Sequence, residues 1–247
     1  LINFRYDLIK YLKKKFKITS LSQNYDYVTN RKLKKINVNY ISYGSNKSFV
    51  VNEFLSFLNI IKIFKNKKET QTKILSYTLR ANIYVGFISL INSKILHYPM
   101  ITGLGGIYLS KDENFISFLR YFFFFNLLKI SLLKAKVIIF QNKYDQKLFK
   151  DKNIIKSKSA VIPGSGVKIE NFNVTKFPKK ITFLMISRII KYKGIENFIS
   201  VAKQINKINK NIRFFFIGKT QKSFSLNKNY FKNNVNSSEI KILKWGK

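Results

Sequence analysis

The chain has 247 residues, with 47 Lys+Arg against 11 Asp+Glu for a formal charge of +36, and it carries one His and no Cys. The missing cysteine excludes a disulfide-stapled domain, a thiol nucleophile and Cys-ligated zinc or iron–sulfur centres, and a single His excludes a His-rich metal site. A 46% hydrophobic content with 24 Phe and 14 Tyr supports a packed core over disorder, and at about 150 residues per domain the length falls between one domain and two.

Phe4, Leu8, Tyr11 and Leu12 stand at helical spacing and predict an amphipathic helix over 2–16. Lys17 to Leu21 and Asn37 to Tyr43 read as short strands, and Asn52 to Lys65 as a helix. A short apolar segment, Ile74 to Tyr77, precedes a helix through Ala81 to Leu90. Tyr98 to Ile101 is strand-like and leads into the turn Gly103-Leu104-Gly105-Gly106. Phe115 to Lys134 is a long helix whose apolar residues run all round, which predicts burial. Lys136 to Phe140 is a continuous β-branched run suited to a buried parallel strand. A helix from Asn142 to Lys150 and a strand from Ser159 to Ile162 follow.

The turn Pro163-Gly164-Ser165-Gly166 opens a polar stretch to Lys180, the best domain boundary in the sequence. Beyond it, Ile181 to Ile186 and Phe214 to Ile217 read as strands around a helix marked by Ile195, Phe198, Ile199, Ala202, Ile205 and Ile208. Those strands start about 30 residues apart, the size of a βαβ unit. The Asn/Lys/Ser-rich segment 221–239 reads as a loop or a weak edge helix. Short strands alternating with helices make the class α/β, with parallel sheets covered by helices.

A charge of +36 is the footprint of nucleic-acid or anionic-membrane binding. A bias toward A- and T-rich codons yields the same Lys-, Asn-, Ile- and Phe-rich composition with no such selection. The uncharged stretches Ala81–Ser93 and Ile95–Ser110 fall short of the roughly 18 apolar residues of a membrane span.

Ligands of open α/β sheets bind beyond the carboxyl ends of the strands, which singles out three loops. Ser187 to Gly194 places Arg188 and Lys193 where a phosphate meets a helix N-terminus; in so basic a chain they also read as ordinary solvated charges. Gly164, Ser165 and Gly166 form either a plain turn or a flexible junction beside a cleft. Thr102, Gly103, Leu104 and Gly105 do not match the dinucleotide fingerprint, because the third glycine, Gly106, comes too early and Tyr108 stands where it belongs. His97 has no paired acid or nucleophile and reads as structural or surface, and Asp145 as an aid to the first turn of its helix. The Phe-rich helix around Arg120 to Phe125, with Lys129, Lys134 and Lys136 nearby, suits a membrane surface as an alternative to burial.

Six stretches, taken in order, resemble glycosyltransferase family 4, and most nearly its bacterial sugar transferases of O-antigen, capsule and exopolysaccharide assembly. They are Asn3-Phe4-Arg5 with Leu8-Ile9, then Ser76 through Tyr84, then Ile101-Thr102-Gly103-Leu104-Gly105. Ile139-Phe140-Gln141-Asn142, Pro163 through Val167, and Ser187-Arg188 through Lys193-Gly194 complete the set. The resemblance implies a GT-B fold: two Rossmann-like, doubly wound parallel-sheet domains, the C-terminal one incomplete. Residues 1–165 would be the acceptor-side domain, 166–180 the linker and 181–247 part of the nucleotide-sugar domain.

It further implies transfer of a sugar, with retention, from a nucleotide-diphosphate donor to a lipid-linked saccharide, without cofactor or metal. The partners are then a nucleotide sugar, that acceptor and an anionic membrane, with no nucleic acid, at the inner face of the cytoplasmic membrane. Arg188 and Lys193 match the family's basic pair on the donor diphosphate. Thr102 to Gly105 would face the cleft on the acceptor side, and Gly164 to Gly166 would sit near the hinge and the donor.

The chain departs from the pattern in several places. The family's first strand is missing ahead of the Asn-Phe-Arg helix, Lys168 stands where Asp is common, and the family's histidine role does not carry over to His97. The late pair of donor-binding glutamates has no counterpart before Lys247. The expectation is therefore a truncated transferase whose activity by itself is in question, against the alternative of a basic nucleic-acid-binding or peripheral membrane protein without catalysis.

Overall fold

Among the described residues every strand pair is parallel, as short apolar strands separated by helices lead one to expect. The computed structural model describes residues 2–44, 49–65, 71–109, 111–218 and 240–243. It divides into two compact units, Leu1–Val167 and Lys168–Lys247.

In the first unit, helix α1 (Ile2–Leu12) leads to strand β1 (Thr19–Ser22), helix α2 (Tyr27–Lys34) and strand β2 (Asn39–Ser42). Helix α3 (Phe49–Lys65), strand β3 (Thr72–Tyr77), helix α4 (Leu79–Ile91) and strand β4 (Ile95–Ile101) follow. Next come helix α5 (Gly105–Leu109), helix α6 (Phe115–Ser131), strand β5 (Ile138–Phe140), helix α7 (Lys143–Asp151) and strand β6 (Ser159–Val161). Strands β1 and β2 form one sheet, and β3-β4-β5-β6 form another in sequence order. The second unit has β7 (Thr182–Ile186), α8 (Ile195–Ile208), β8 (Arg213–Ile217) and β9 (Ile240–Leu243), in the order β7-β8-β9.

The core of the first unit lies around β4 to β6. Ile101, Phe125, Leu128, Ile138, Phe140 and Phe149 are packed together and buried. A second cluster joins α3 to α4 through Ile60, Phe64, Tyr84 and Ile88. The second unit has its own cluster of Ile195, Ile199, Ala202, Phe214 and Phe216 between α8 and its strands.

Several sequence expectations change. Strand β4 begins at Ile95, so His97 lies inside it, fully buried, and not ahead of it. The apolar pattern is hidden there by His97 and by Pro99. The His97 carbonyl accepts the Lys136 amide (2.9 Å) on the β5 side, and Pro99, two residues on, turns its missing N–H to that same side. The β4–β5 register starts only at Met100, so the proline interrupts no bond.

Helix α2 was not expected. Its start signal is Asp26, whose carboxylate accepts from the Val28 amide (3.3 Å), the Thr29 amide (3.2 Å) and the Thr29 hydroxyl. The glycine turn at 103–106 runs into α5, and α1 ends at Leu12. Helix α6 is buried on one face only: Ser117, Phe125, Leu128 and Ser131 point inward, while Phe122 and Phe123 are exposed. Residues 221–239 lie outside the described part.

Candidate functional site

The carboxyl ends of β3, β4, β5 and β6 lie side by side, since Tyr77 pairs with Met100, Ile101 with Phe140 and Phe140 with Val161. Side chains from five separate segments meet around this edge. The Arg5 guanidinium, on α1, stacks over the Tyr77 ring at 4.0 Å. Its Nη1 donates to Ser165 Oγ (2.6 Å) and to the Phe4 carbonyl (3.3 Å). Its Nη2 and the Gln141 amide both approach the buried Met100 sulfur, at 3.8 and 3.9 Å. No carboxylate pairs with Arg5 among the described residues. The Tyr77 hydroxyl is buried without a partner there. Burial raises its pKa, and the Arg5 charge opposes that rise.

Behind this edge a buried polar chain fixes the joint between β3 and α4. Asn82 Nδ2 donates to the Met100 carbonyl (3.1 Å), so its Oδ1 faces Ser76 and accepts the Ser76 hydroxyl (2.7 Å). Ser76 Oγ has then used its proton, so at 2.8 Å it accepts from His97 Nε2. His97 is therefore the Nε2–H tautomer, and its Nδ1 is a buried acceptor without a partner. Burial alone lowers the His97 pKa to about 4, so the ring stays neutral and structural.

Thr78, next to Tyr77, takes φ 74° and caps α4 by accepting the Ala81 amide (3.5 Å). A left-handed conformation is strained for a β-branched residue, and it falls on the loop leaving β3. Glu53 on α3 holds the next turn by accepting Arg80 Nη1 (2.8 Å), Gln23 Nε2 (3.1 Å) and the Tyr84 hydroxyl. Burial, then the bond to Glu53, push the Tyr84 phenol well up. Asn142 caps α7 by accepting the Asp145 amide (2.7 Å) and donates to the Asp145 carboxylate (2.9 Å), an exchange that explains Asp145 in the first turn.

The residues picked from the sequence fall in two places. Thr102 to Gly105 follow β4 directly, and Gly164 to Gly166 follow β6; a side chain at Gly103, Gly164 or Gly166 would meet open space. The Ser165 hydroxyl accepts from Arg5, the Gly164 amide donates to the Ile162 carbonyl (2.8 Å), and Leu104 packs against the core. Arg188 and Lys193 are in the second unit, on the loop from β7 to α8, and both are exposed. Gly194 ends that loop with φ 72° in the left-handed region and starts α8 without a side-chain cap.

The loop is pinned from below. The Ser187 amide donates to the Ile217 carbonyl (3.0 Å), and a Cβ on Gly218 would stand 2.1 Å from the Ser187 carbonyl oxygen. Sequence reasoning missed the gathering of Arg5, Tyr77 and Gln141, although all three lie in the quoted motifs. Among the described residues no three His, Asp or Glu come together as metal ligands.

No family model matches the chain, and no curated protein matches its sequence. Its structure is similar to that of sucrose-phosphate synthase (tll1590) from Thermosynechococcus elongatus, with 11% identity and a TM-score of 0.72. It is also similar to a glycosyltransferase from Rickettsia africae ESF-5 (17%, TM-score 0.58) and to MnaA from S. aureus, solved with UDP (10%, TM-score 0.60). These likenesses cover 99%, 100% and 98% of this chain. The chain spans 64%, 66% and 65% of the respective neighbours. The fold is GT-B-like, built from Rossmann-like parallel sheets, as the sequence motifs imply.

Proposed function

We propose that the protein transfers a sugar from a nucleoside-diphosphate donor held by the second unit to a saccharide acceptor held by the first. The observation that carries this reading is the loop from Ser187 to Gly194. It leaves the carboxyl end of β7, exposes Arg188 and Lys193, and ends at the first turn of a 14-residue helix. Two cations and free helix amides at one loop form a cradle for a diphosphate. In transfer they stabilise the charge that develops on the departing nucleotide, without a metal or other cofactor.

The fold, shared with a sucrose-phosphate synthase and a glycosyltransferase, supports the same reading. The family-4 motifs extend it to transfer with retention and to a lipid-linked acceptor at the inner face of the cytoplasmic membrane. On that reading Thr102, Gly103, Leu104 and Gly105 border the acceptor, with Arg5 and Tyr77 beside them. Gly164, Ser165 and Gly166 belong to the hinge.

Titration calorimetry with UDP, GDP and their sugars tests the loop. At least one diphosphate nucleotide is expected to bind, and Arg188→Ala to weaken it about 10- to 100-fold, the weight of one charge-assisted contact. A Kd unchanged by Arg188→Ala removes that residue from the site. Binding of no nucleotide at all by the intact chain sinks the donor reading.

A further inference from the structure

At the carboxyl edge of β3 to β6, donors from separate segments converge on a weak acceptor. The Arg5 guanidinium carries five N–H groups. Nη1 serves Ser165 Oγ (2.6 Å) and the Phe4 carbonyl (3.3 Å), while Nη2 points at the Met100 sulfur at 3.8 Å. The Gln141 amide points at the same sulfur at 3.9 Å. A thioether accepts poorly, so a cation and an amide meet at an atom that satisfies neither. Ser165 accepts from Arg5, which leaves its own proton to give. The Tyr77 hydroxyl, on the ring under the guanidinium, is buried without a partner among the described residues.

These donors are held in place. The stack on Tyr77 at 4.0 Å and the bond to Ser165 fix the guanidinium plane, so Arg5 has little side-chain freedom to lose on binding. The flanking turns leave room, since a Cβ on Gly103, Gly164 or Gly166 meets no atom within 4 Å. No carboxylate among the described residues neutralises Arg5, whereas Arg80 on α4 is bound to Glu53 at 2.8 Å.

We infer that this edge binds a singly charged oxyanion carried by the acceptor, a sugar carboxylate or a phosphodiester, through Arg5, Gln141 and Ser165. The charge count sets the class. One guanidinium with two neutral donors balances one negative charge, and the planar fork of Arg5 suits two oxygens on one centre. A neutral sugar leaves the charge of Arg5 unused, and a dianion brings a second charge that none of these groups answers. The inference rests on the reading that the first unit holds the acceptor, and it names the group by which the acceptor is held.

Ligand-observed saturation-transfer NMR on the intact 247-residue chain tests it. The probes are sodium glucuronate, sodium dimethyl phosphate and glucose, at an ionic strength held constant with sodium chloride. At least one oxyanion is expected to bind with a Kd of about 1–10 mM, the strength of one charge-assisted and two neutral hydrogen bonds, and glucose at least about tenfold more weakly. Arg5→Gln should raise the oxyanion Kd about tenfold, and Gln141→Leu about threefold. Arg5→Lys, which keeps the charge and loses the fork, should fall between wild type and Arg5→Gln. A chain this basic also attracts anions diffusely, so the dependence on Arg5 and Gln141 is the readout. Should Arg5→Gln fail to fold, Gln141→Leu decides.

Glucuronate as the tighter ligand assigns an acidic sugar, and dimethyl phosphate as the tighter one a phosphodiester. Binding of neither, or a Kd unchanged in the variants, overturns the site. Titration of the same chain with UDP and GDP keeps the two readings apart. Nucleotide bound by a chain that binds neither oxyanion overturns this inference and leaves the donor loop standing. Oxyanion bound through Arg5 with no nucleotide bound supports this site and removes the donor reading.

Discussion

The carboxyl edges of the two larger sheets are finished differently. At β3 to β6 the edge is interlocked: Arg5, Tyr77, Met100, Gln141 and Ser165 touch one another, and β4 beneath them is buried along most of its length. At β7 the loop is held by backbone bonds, Ile190 to Arg188 (2.9 Å) and Lys193 to Ile190 (3.1 Å), and its cationic side chains are exposed. Phe183, Leu184 and Ile186 on the strand behind it are also exposed among the described residues. In the first unit a cation is part of the packing. In the second, Arg188 and Lys193 are exposed, as are Leu184 and Ile186 on one face of β7. The same residue type thus belongs to the packing at one edge and is exposed at the other.

The largest expected effect contrasts the two sheets themselves. Phe140 is fully buried and meets the Phe149 ring at 5.3 Å, so Phe140→Ala should cost about 3–5 kcal/mol in transfer and cavity terms. Leu184 is 51% exposed on β7, and Leu184→Ser should stay within about 0.5 kcal/mol. Urea titrations of both variants measure the contrast. A cost above about 1.5 kcal/mol at Leu184 would mean that the outer face of β7 is covered in solution, and the comparison would break.

Acid separates the units next. His97 has an unfolded value near 6.5 and a folded value lowered to about 4 by burial. Between those values the unfolded chain binds a proton that the folded chain does not. The His97 contribution is therefore fully present above pH 6.5, is lost as pH falls toward 4, and changes no further below that. The loss amounts to about 3 kcal/mol. Since His97 is the one histidine of the chain, this slope belongs to the first unit. Melting His97→Gln across the same pH range should flatten it, because Gln keeps a donor for Ser76 and does not titrate. An equal slope in the variant would assign the acid sensitivity elsewhere.

What the sequence conveyed depended on how local the cause is. Ile138 to Phe140 was readable because a buried parallel strand is a continuous apolar run; Thr182 to Ile186 carries the same kind of run, but its Phe183, Leu184 and Ile186 are exposed, so the expected burial does not hold there. The first half of β4 was not readable, because a histidine and a proline interrupt its run for reasons that lie in β3 and β5. Helix α2 offers the core only Thr29 and Leu33, too weak a period to notice without its Asp26 cap. The apolar circumference of α6 predicted burial, yet only a structure separates a face packed on Phe149 from one that meets solvent. The motif stretches were visible as a set, but not their division of labour. Ser76 and Asn82 turned out to hold a strand-to-helix joint, and the partner of Arg5 is 160 residues away.

The smallest effect sets one cation of each edge against the other. Arg5→Ala removes the stack on Tyr77 and the bond to Ser165 and should cost about 1–2 kcal/mol. Arg5→Lys keeps the charge but loses the planar stack and the fork that reaches two groups, so it should recover only part of that. Lys193 is exposed, and Lys193→Ala should move stability by no more than about 0.5 kcal/mol. Thermal melts of the three variants in low and high salt complete the measurement. The Arg5 cost should survive salt better, because a stacked, half-buried guanidinium is poorly screened. A salt-insensitive loss at Lys193 matching that at Arg5 would show both loops to be built alike, and the division between a packed cation and a presented one would fail.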